Sequence, residues 1–204
     1  MNKTKTIQIP ELNGNGFTSI DAEYIGKGAF AKCYRVNNTV YSFVKVSEYE
    51  LTDYSKEAVA EWASGAHVPD IKKLGYSEDE NYLVYSMPYY QPLTAKCGKA
   101  WKQAKKLISI YNSMSSADAK TSCDFNQEFI ESVRNVANLE NGLSEIIEDL
   151  ESLSYACSNY GSDYEMEFTK RNLKIDENGA LILLDVMYNH TAITRMLQNR
   201  IRQY

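Results

Sequence analysis

The chain has 204 residues, of which 44% are hydrophobic and 24% are charged, and its formal net charge at pH 7 is −5. This composition is typical of a globular protein with one large or two small domains, and the acidic balance disfavours a nucleic-acid partner. No stretch is long and apolar enough to span a membrane, and no apolar segment follows the first lysines, so we expect neither a membrane partner nor a secretory signal.

The four cysteines lack the CxxC spacing of a zinc site, and only two histidines are present to complete one. The cysteines are Cys33, Cys97, Cys123 and Cys157. We therefore expect reduced thiols and a cytoplasmic protein.

Residues 17–92 contain short runs of β type separated by turn residues. The runs are EYIG, CYRV, VYSFVKV and NYLVYSM, and the turns include NN and SEDEN. One helical segment interrupts them at about Asp53 to Ser64, where Ala58, Val59 and Trp62 recur at helical spacing. The pattern predicts a β-rich region that contains a single helix.

From about Lys99 the apolar residues recur at helical spacing, which predicts three helices, then a hairpin and a short amphipathic stretch. The predicted apolar faces are Trp101, Ala104, Ile108 and Tyr111; Phe125, Phe129, Val133 and Val136; Leu143, Ile146, Ile147, Leu150 and Leu153; and, at the C-terminus, Ile193, Met196, Leu197 and Ile201. This order predicts an α+β fold in two lobes, residues 1–92 and 93–204, with a crossing around SMPYYQP.

The hairpin is predicted over residues 172–185, NLKIDENGALILLD, because DENG tolerates tight turns and positive φ. The open ends of a hairpin lie side by side, so the side-chain oxygens of Asn172 and Asp185 should converge. Mg²⁺ prefers hard oxygen ligands of this kind. The stretch therefore indicates a magnesium site.

The stretch YIGKGAFAKCYRV, residues 24–36, is a glycine loop between two predicted strands. A dinucleotide-binding glycine turn would run into a helix, and here the third glycine position holds Ala31. In a strand–loop–strand setting, Gly26 and Gly28 would let backbone N–H groups approach phosphate oxygens, and Phe30 would cap the loop. The alternative is a hairpin that contains glycine and binds no ligand.

The next predicted strand, SFVKVS, places Lys45 among apolar neighbours, where a charged amine needs a partner. The alternative is a solvated lysine at a strand edge.

Taken in chain order, GKGAFAKCY, SFVKVS, KEAVAEW, YLVYSMPYY and EFTKRNLKI…LILLD resemble the protein-kinase superfamily over residues 17–187. The resemblance implies a two-lobed kinase-like fold, with a β-rich N-lobe and a helical C-lobe, that binds ATP and Mg²⁺. It implies that Lys45 contacts the nucleotide phosphates and pairs with Glu57, or with Glu61 one helical turn further on. Asn172 matches the catalytic-loop Asn and Asp185 the metal-binding Asp of that family.

The resemblance also implies a site for the adenine. Val84, Tyr85 and Met87 would form its apolar wall. Backbone groups from Ser86 through Met87 to Tyr89 would hydrogen-bond the base.

The catalytic loop departs from the family pattern. Glu167 stands where the catalytic Asp is expected, Glu165 replaces the usual His, and Thr169 replaces a Lys for which Lys170 or Arg171 would substitute. A carboxylate that is longer by one methylene implies a slow base, or a site that binds nucleotide without turnover. Residues 186–204 leave no room for an activation segment, so the C-lobe resembles that of compact bacterial and bacteriophage kinases, which would act in a host cytoplasm if the protein is viral.

Three functions stay open at this level. The first is a Ser/Thr protein kinase, the second a pseudokinase-like module that binds a partner protein, and the third a small-molecule kinase of the aminoglycoside type. The third is disfavoured because such enzymes carry a larger helical lobe and a conventional Asp. The acidic run formed by Asp163, Glu165 and Glu167 is either a solvated loop or a selector of basic substrates.

Overall fold

A computed structural model describes residues 4–11, 16–46, 53–114, 121–137 and 142–201. Within these ranges it divides the chain into two compact units, one built from residues 1–60, 70–89 and 191–204 and the other from residues 61–69 and 90–190. The division differs from the predicted single boundary after residue 92. The physical reason is His67, whose carbonyl oxygen accepts a hydrogen bond from the Leu183 N–H at 2.9 Å, which ties residues 61–69 to the second unit.

The described chain is mixed α+β, as the sequence predicts. The strands are β1 (Thr4–Pro10), β2 (Phe17–Lys27), β3 (Ala31–Val36), β4 (Thr39–Lys45), β5 (Lys72–Tyr76), β6 (Tyr82–Pro88), β7 (Gln91–Pro92), β8 (Tyr164–Met166), β9 (Leu173–Ile175), β10 (Leu181–Leu183) and β11 (Met187–Asn189). The helices are α1 (Ser55–Trp62), α2 (Gly98–Ser113), α3 (Ser122–Ala137), α4 (Ser144–Ser158) and α5 (His190–Ile201), with single 3-10 turns at Ala95–Cys97 and Lys170–Asn172.

The first unit contains a curled antiparallel sheet of six strands in the order β1-β2-β3-β4-β6-β5. Apolar side chains of one face form its core: Ile7, Ala22, Tyr34, Phe43 and Val84. Tyr34 and Phe43 meet edge to face with their ring centroids 5.5 Å apart. The predicted strands correspond to β2, β3, β4 and β6 to within one residue at Val46 and Asn81, whereas β1 and β5 were not predicted.

The second unit contains α2, α3 and α4 with the predicted hairpin β9–β10, which β7 extends to three strands. A separate pair joins β8 to β11. Phe129 of α3 stacks on Phe168 with centroids 4.5 Å apart, and Tyr111 of α2 contacts both rings. The predicted apolar faces of α3 and α4 are largely buried. On α2 the prediction is offset, because only Ala104 of the predicted face is buried and the buried side is formed by Ala100, Gln103, Ala104, Leu107 and Ile110.

The C-terminal amphipathic stretch is helical as α5. Of its predicted apolar face, Ile193 is half-buried and Leu197 is 50% exposed, while the side chains of Met196 and Ile201 lie outside the described part. None of the described helices is both long and apolar enough to cross a membrane.

Candidate functional site

The hairpin predicted over residues 172–185 is confirmed. Strands β9 and β10 are antiparallel, with Leu173 opposite Leu183. In the turn, the Asp176 carboxylate accepts the backbone N–H of Ala180 at 2.7 Å, and Gly179 takes a positive φ of 81°. The turn chemistry that the sequence indicated therefore sets the register of the hairpin.

The open end of the hairpin brings Asn172 and Asp185 together. The backbone carbonyl oxygen of Asn172 accepts hydrogen bonds from the N–H groups of Leu184 at 3.0 Å and Asp185 at 3.4 Å. Asn172 is buried, whereas Asp185 is exposed. Two side chains that carry oxygen atoms therefore leave the backbone at adjoining positions.

The Asn172 carboxamide orients Glu167. Its Nδ2 donates a hydrogen bond to Oε2 of Glu167 at 3.1 Å and a longer one to the Glu167 backbone carbonyl at 3.4 Å. Nη2 of Arg171 lies 3.6 Å from the other carboxylate oxygen, Oε1. The two carboxylate oxygens of Glu167 therefore each have a partner, Asn172 and Arg171. Because the Glu167 side chain is 31% exposed, the carboxylate is still open to a solute.

A second carboxylate is that of Glu165, which lies on β8 two residues before Glu167. Glu165 lies opposite Tyr188 of β11, whose hydroxyl donates to Oε1 of Glu165 at 3.1 Å. Burial, and then the Glu165 charge, raise the pKa of Tyr188. Burial, and then the Glu167 and Glu165 charges, raise the pKa of Tyr111. The Glu165 side chain is only 16% exposed, so the predicted acidic run is not a continuous exposed surface.

The hairpin end carries two candidate magnesium ligands, the side-chain oxygens of Asn172 and Asp185. Nδ2 of Asn172 is turned to Glu167, and no described residue donates a hydrogen bond to its Oδ1. Asp185 lies near Lys174, where burial lowers the pKa of the lysine and the aspartate charge partly counters that effect. No group of three or more His, Cys, Asp or Glu in the described ranges could enclose a metal. Mg²⁺ usually binds through one or two carboxylates together with phosphates and water, and the donor set agrees with that habit.

The two basic residues before Asn172 take different positions. Nζ of Lys170, predicted as a catalytic cation, lies 5.2 Å from the centroid of the Trp101 ring. Arg171, the alternative, is the residue that approaches Glu167. The hydroxyl of Thr169 is buried and has no hydrogen-bond partner among the described residues.

The glycine loop joins β2 to β3. Gly26 lies at a β-bulge with φ of 154°, a conformation that favours glycine. The Gly28 N–H donates to the carbonyl oxygen of Ala31 at 2.8 Å, so this amide is already bound, whereas a Cβ at Gly28 would meet nothing within 4 Å. Within the described chain the N–H groups of Ala29 and Phe30 have no backbone acceptor. These two amides, rather than that of Gly28, are the ones open to an anion.

The predicted ion pair between Lys45 and Glu57 does not form. Nζ of Lys73 donates to Oε1 of Glu57 at 2.6 Å, and the Tyr85 hydroxyl donates to Oε2 at 3.1 Å. In the sheet Lys45 lies opposite Tyr82, which is three positions before Tyr85 on β6. Because side chains alternate between the faces of a strand, Lys45 and the Glu57 cluster belong to opposite faces of the sheet.

Glu61, the other predicted partner of Lys45, accepts a hydrogen bond from the Tyr160 hydroxyl at 2.6 Å. Lys45 itself is exposed at the end of β4. The lysine that does bind Glu57, Lys73, was missed because KKLGY shows no apolar alternation.

The backbone groups expected to bind adenine have other partners. Ser86 lies in the sheet between Tyr41 of β4 and Lys72 of β5. The Tyr89 N–H donates to the Asn38 carbonyl oxygen at 2.8 Å. The predicted base contacts at these two positions would require these pairings to change.

The apolar residues expected beside the adenine, Val84, Tyr85 and Met87, are buried in the first unit. Val84 belongs to the core cluster that contains Tyr34 and Phe43. Val84 therefore serves the packing of the sheet, and Tyr85 binds Glu57 through its hydroxyl.

His67, which the sequence did not single out, holds the strand that leads to Asp185. Nδ1 of His67 lies 2.7 Å from the Leu181 carbonyl oxygen and therefore carries a proton, and the His67 N–H donates to Oδ2 of Asp149 at 2.8 Å. Its Nε2 is buried and has no partner in the described part of the chain.

No model of a known protein family matches the chain, and no curated protein matches it.

Proposed function

We propose that the protein is an ATP-dependent phosphotransferase that transfers the γ-phosphoryl group to a serine or threonine of another protein. The observation that carries the proposal is the hydrogen bond from Asn172 to Glu167 at the hairpin end that also presents Asp185. Phosphoryl transfer to a hydroxyl requires a positioned carboxylate and oxygen ligands for a metal, and these three residues supply both.

In this proposal Glu167 is the general base. As the acceptor oxygen bonds to the γ-phosphorus and the bond to the ADP oxygen breaks, the hydroxyl proton passes to a Glu167 carboxylate oxygen. Asn172 holds Oε2 in place, so the approach of the hydroxyl is defined. Arg171, and Lys170 once it leaves the Trp101 ring, would supply positive charge to the transferred group.

Asn172 and Asp185 would hold Mg²⁺, whose charge neutralises that of the phosphate oxygens. Within the first unit, the N–H groups of Ala29 and Phe30 and the Lys45 amine are the groups that would bind phosphate oxygens of a nucleotide. The order of the glycine loop, the Lys45 strand and helix α1 supports the kinase-like two-lobed fold. A cytoplasmic location, in the host if the protein is viral, belongs to the same proposal.

A second candidate function is a pseudokinase-like module that binds a partner protein without phosphoryl transfer. The observation that favours it is the engagement of Glu57 by Lys73 and Tyr85, which leaves Lys45 without its predicted carboxylate partner. The longer carboxylate at Glu167 agrees with this alternative.

Two measurements separate the candidates. The purified protein is incubated with γ-labelled ATP, Mg²⁺ and a cell lysate, and its thermal midpoint is recorded with and without millimolar Mg-ATP. The proposed kinase labels itself or lysate proteins, and Asp185→Ala abolishes both label and stabilisation, whereas Glu177→Gln, in the exposed hairpin turn, changes neither. Stabilisation without label supports the binding module, and no stabilisation of the unmodified protein contradicts nucleotide binding altogether.

A further inference from the structure

Helix α2 has a strongly basic side. It carries Lys99, Lys102, Lys105 and Lys106 and contains no acidic residue. At 3.6 residues per turn these four positions fall within an arc of about 120°, on the side of the helix away from its buried residues. In a chain with a net charge of −5, this is a marked segregation of positive charge.

Two of these four lysines have no ion-pair partner among the described residues. Lys99 pairs with Glu145 at 2.5 Å, which lowers the pKa of that glutamate. Lys102 and Lys105 are exposed, and no ion pair in the described ranges involves either of them. These two lysines are therefore available to an outside anion.

The basic side of α2 continues to the loop that carries Glu167. Lys170 lies over the ring of Trp101. Trp101 stands four residues before Lys105 on α2, so these two side chains are one helical turn apart. Arg171 follows Lys170 and reaches Glu167 at 3.6 Å. We call the surface formed by Lys102, Lys105, Lys170 and Arg171 the basic face.

A shallow, open depression of about 440 Å³ lies along the last turns of α2, beside Lys105 of the basic face. It is lined by Lys105, Ile108, Ser109, Asn112 and Ser113. One cation, one aliphatic side chain and several small polar groups suit an amino-acid side chain of a bound peptide.

We propose that the basic face docks an acidic segment of a partner protein and presents a neighbouring serine or threonine to Glu167. The docking stands on charge and exposure alone, whereas the presentation to Glu167 rests on the proposed kinase function. The net charge of −5 opposes a long polyanion such as nucleic acid, because repulsion adds up along its length. A short acidic segment feels mainly the local charges, since screening limits the range to about 8 Å at physiological salt. The acidic run of Asp163, Glu165 and Glu167 is a poor selector of basic substrates, because the Glu165 side chain is only 16% exposed.

The test uses the full chain and a fluorescent peptide. The 16 residues of α2 extend about 24 Å, the span of about seven extended residues, so the probe is an octapeptide rich in glutamate, with a glutamine version as its match. The charge-reversed protein is Lys102→Glu with Lys105→Glu. Its control is Lys5→Glu with Lys72→Glu, which changes the net charge equally at exposed positions of the first unit.

We expect the glutamate peptide to bind, the glutamine peptide not to bind, and binding to weaken as salt is raised. The charge-reversed protein should lose at least about tenfold in affinity at an unchanged thermal midpoint, whereas the control should stay within about twofold. Absence of peptide binding, or equal losses in both variants, would overturn the inference. Tighter binding of a single-stranded oligonucleotide of equal charge would overturn it in favour of nucleic acid. A protein dimer that only charge reversal dissociates would overturn it in favour of a second copy of the chain.

Failure of this inference is distinguishable from failure of the proposed function. Label transfer without peptide binding leaves the kinase standing and removes the basic face. Peptide binding without label transfer leaves the basic face as the docking surface of a binding module.

Discussion

The Asn172 carboxamide and the Glu167 carboxylate are joined by a hydrogen bond of 3.1 Å, although the two residues leave the backbone five positions apart. The carboxamide comes from a buried residue, so it cannot easily follow a carboxylate that moves. The hydrogen bond therefore requires a side chain of the length of glutamate at position 167, because Asn172 cannot move towards a shorter one.

Glu167→Asp should lower kcat by about 10²-fold, because the shorter side chain withdraws the carboxylate from both Asn172 and the acceptor hydroxyl. Glu167→Gln should lower kcat further, since the amide cannot accept the proton. Initial rates with labelled ATP measure both changes, and Glu177→Gln serves as the control. A faster Glu167→Asp enzyme would mean that the site has decayed from a conventional kinase. Equal trace activity in all versions, with partner binding intact, would leave the binding module as the better account.

Lys73→Met should destabilise the protein by about 1–3 kcal/mol, because the Glu57 carboxylate, only 12% exposed, loses a charged donor. Since the Lys73 side chain is itself 36% exposed, a value in the lower half of that range is expected. The neighbouring Lys72→Met should cost about 0.5 kcal/mol or less, because Lys72 and Asp70 form an exposed pair at 3.9 Å. Urea unfolding measures both free energies. If Lys45→Met were as destabilising as Lys73→Met, the assignment of Glu57 to Lys73 would be wrong.

Gly65→Ala should destabilise the second unit by about 2 kcal/mol or more, since Gly65 has φ of 150° and a Cβ there would lie 1.8 Å from Oδ1 of Asp149. The displaced carboxylate would also weaken its bond to the His67 N–H. Thermal unfolding measures the loss. Gly161→Ala is the control, because its φ is also positive but its Cβ would meet nothing within 4 Å. An equal loss in both would show that backbone strain alone is responsible.

Gly28→Val should leave the thermal midpoint nearly unchanged, since the protein has open space there. It should nevertheless weaken Mg-ATP binding by about tenfold or more, because the new methyl groups would stand beside the N–H groups of Ala29 and Phe30, which have no backbone acceptor among the described residues. Calorimetric titration gives the affinity. Undiminished binding would remove the glycine loop from the nucleotide site.

The alkaline limit of stability should depend on Tyr188. Its pKa is raised from an ordinary value of 10.0, so the folded state binds the phenolic proton more tightly than the unfolded state. This stabilisation is fully present below about pH 10 and is lost as the pH rises towards the raised folded value. Tyr188→Phe should therefore make the fall of the thermal midpoint above about pH 10 shallower. Tyr155→Phe, at a 62% exposed position, is the control, and an identical slope in all three proteins would contradict the role of Tyr188.

The parts of the molecule that the sequence predicted are those fixed by local chemistry. The turn at Asp176 to Gly179 and the helical spacing around Phe129 and Leu150 are local signals, and both are confirmed. Strand β1 has only two alternating apolar residues, Ile7 and Ile9, and strand β5 has none of its side chains buried, since both strands lie at the edges of the sheet.

The contacts that sequence reasoning missed depend on which face a side chain takes. The order of Lys45 and Glu57 in the chain and their opposite charges predicted an ion pair. Lys45 lies on the face of the sheet that Tyr82 takes, whereas Glu57 binds Tyr85 on the opposite face. Lys73 and Tyr188 gained their roles only through cross-strand register, which no pattern in KKLGY or VMYNH reveals.

The placement of residues 61–69 in the second unit decides how the protein can be dissected. A fragment that begins at Leu93 would lack His67, so Asp149 would lose a backbone donor and Leu183 its carbonyl acceptor. Truncation at the predicted boundary should therefore give a poorly folded piece, even though it keeps Glu167, Asn172 and Asp185. A second unit produced alone would need residues 61–69 joined to Tyr90 by a linker, in place of the excised segment 70–89.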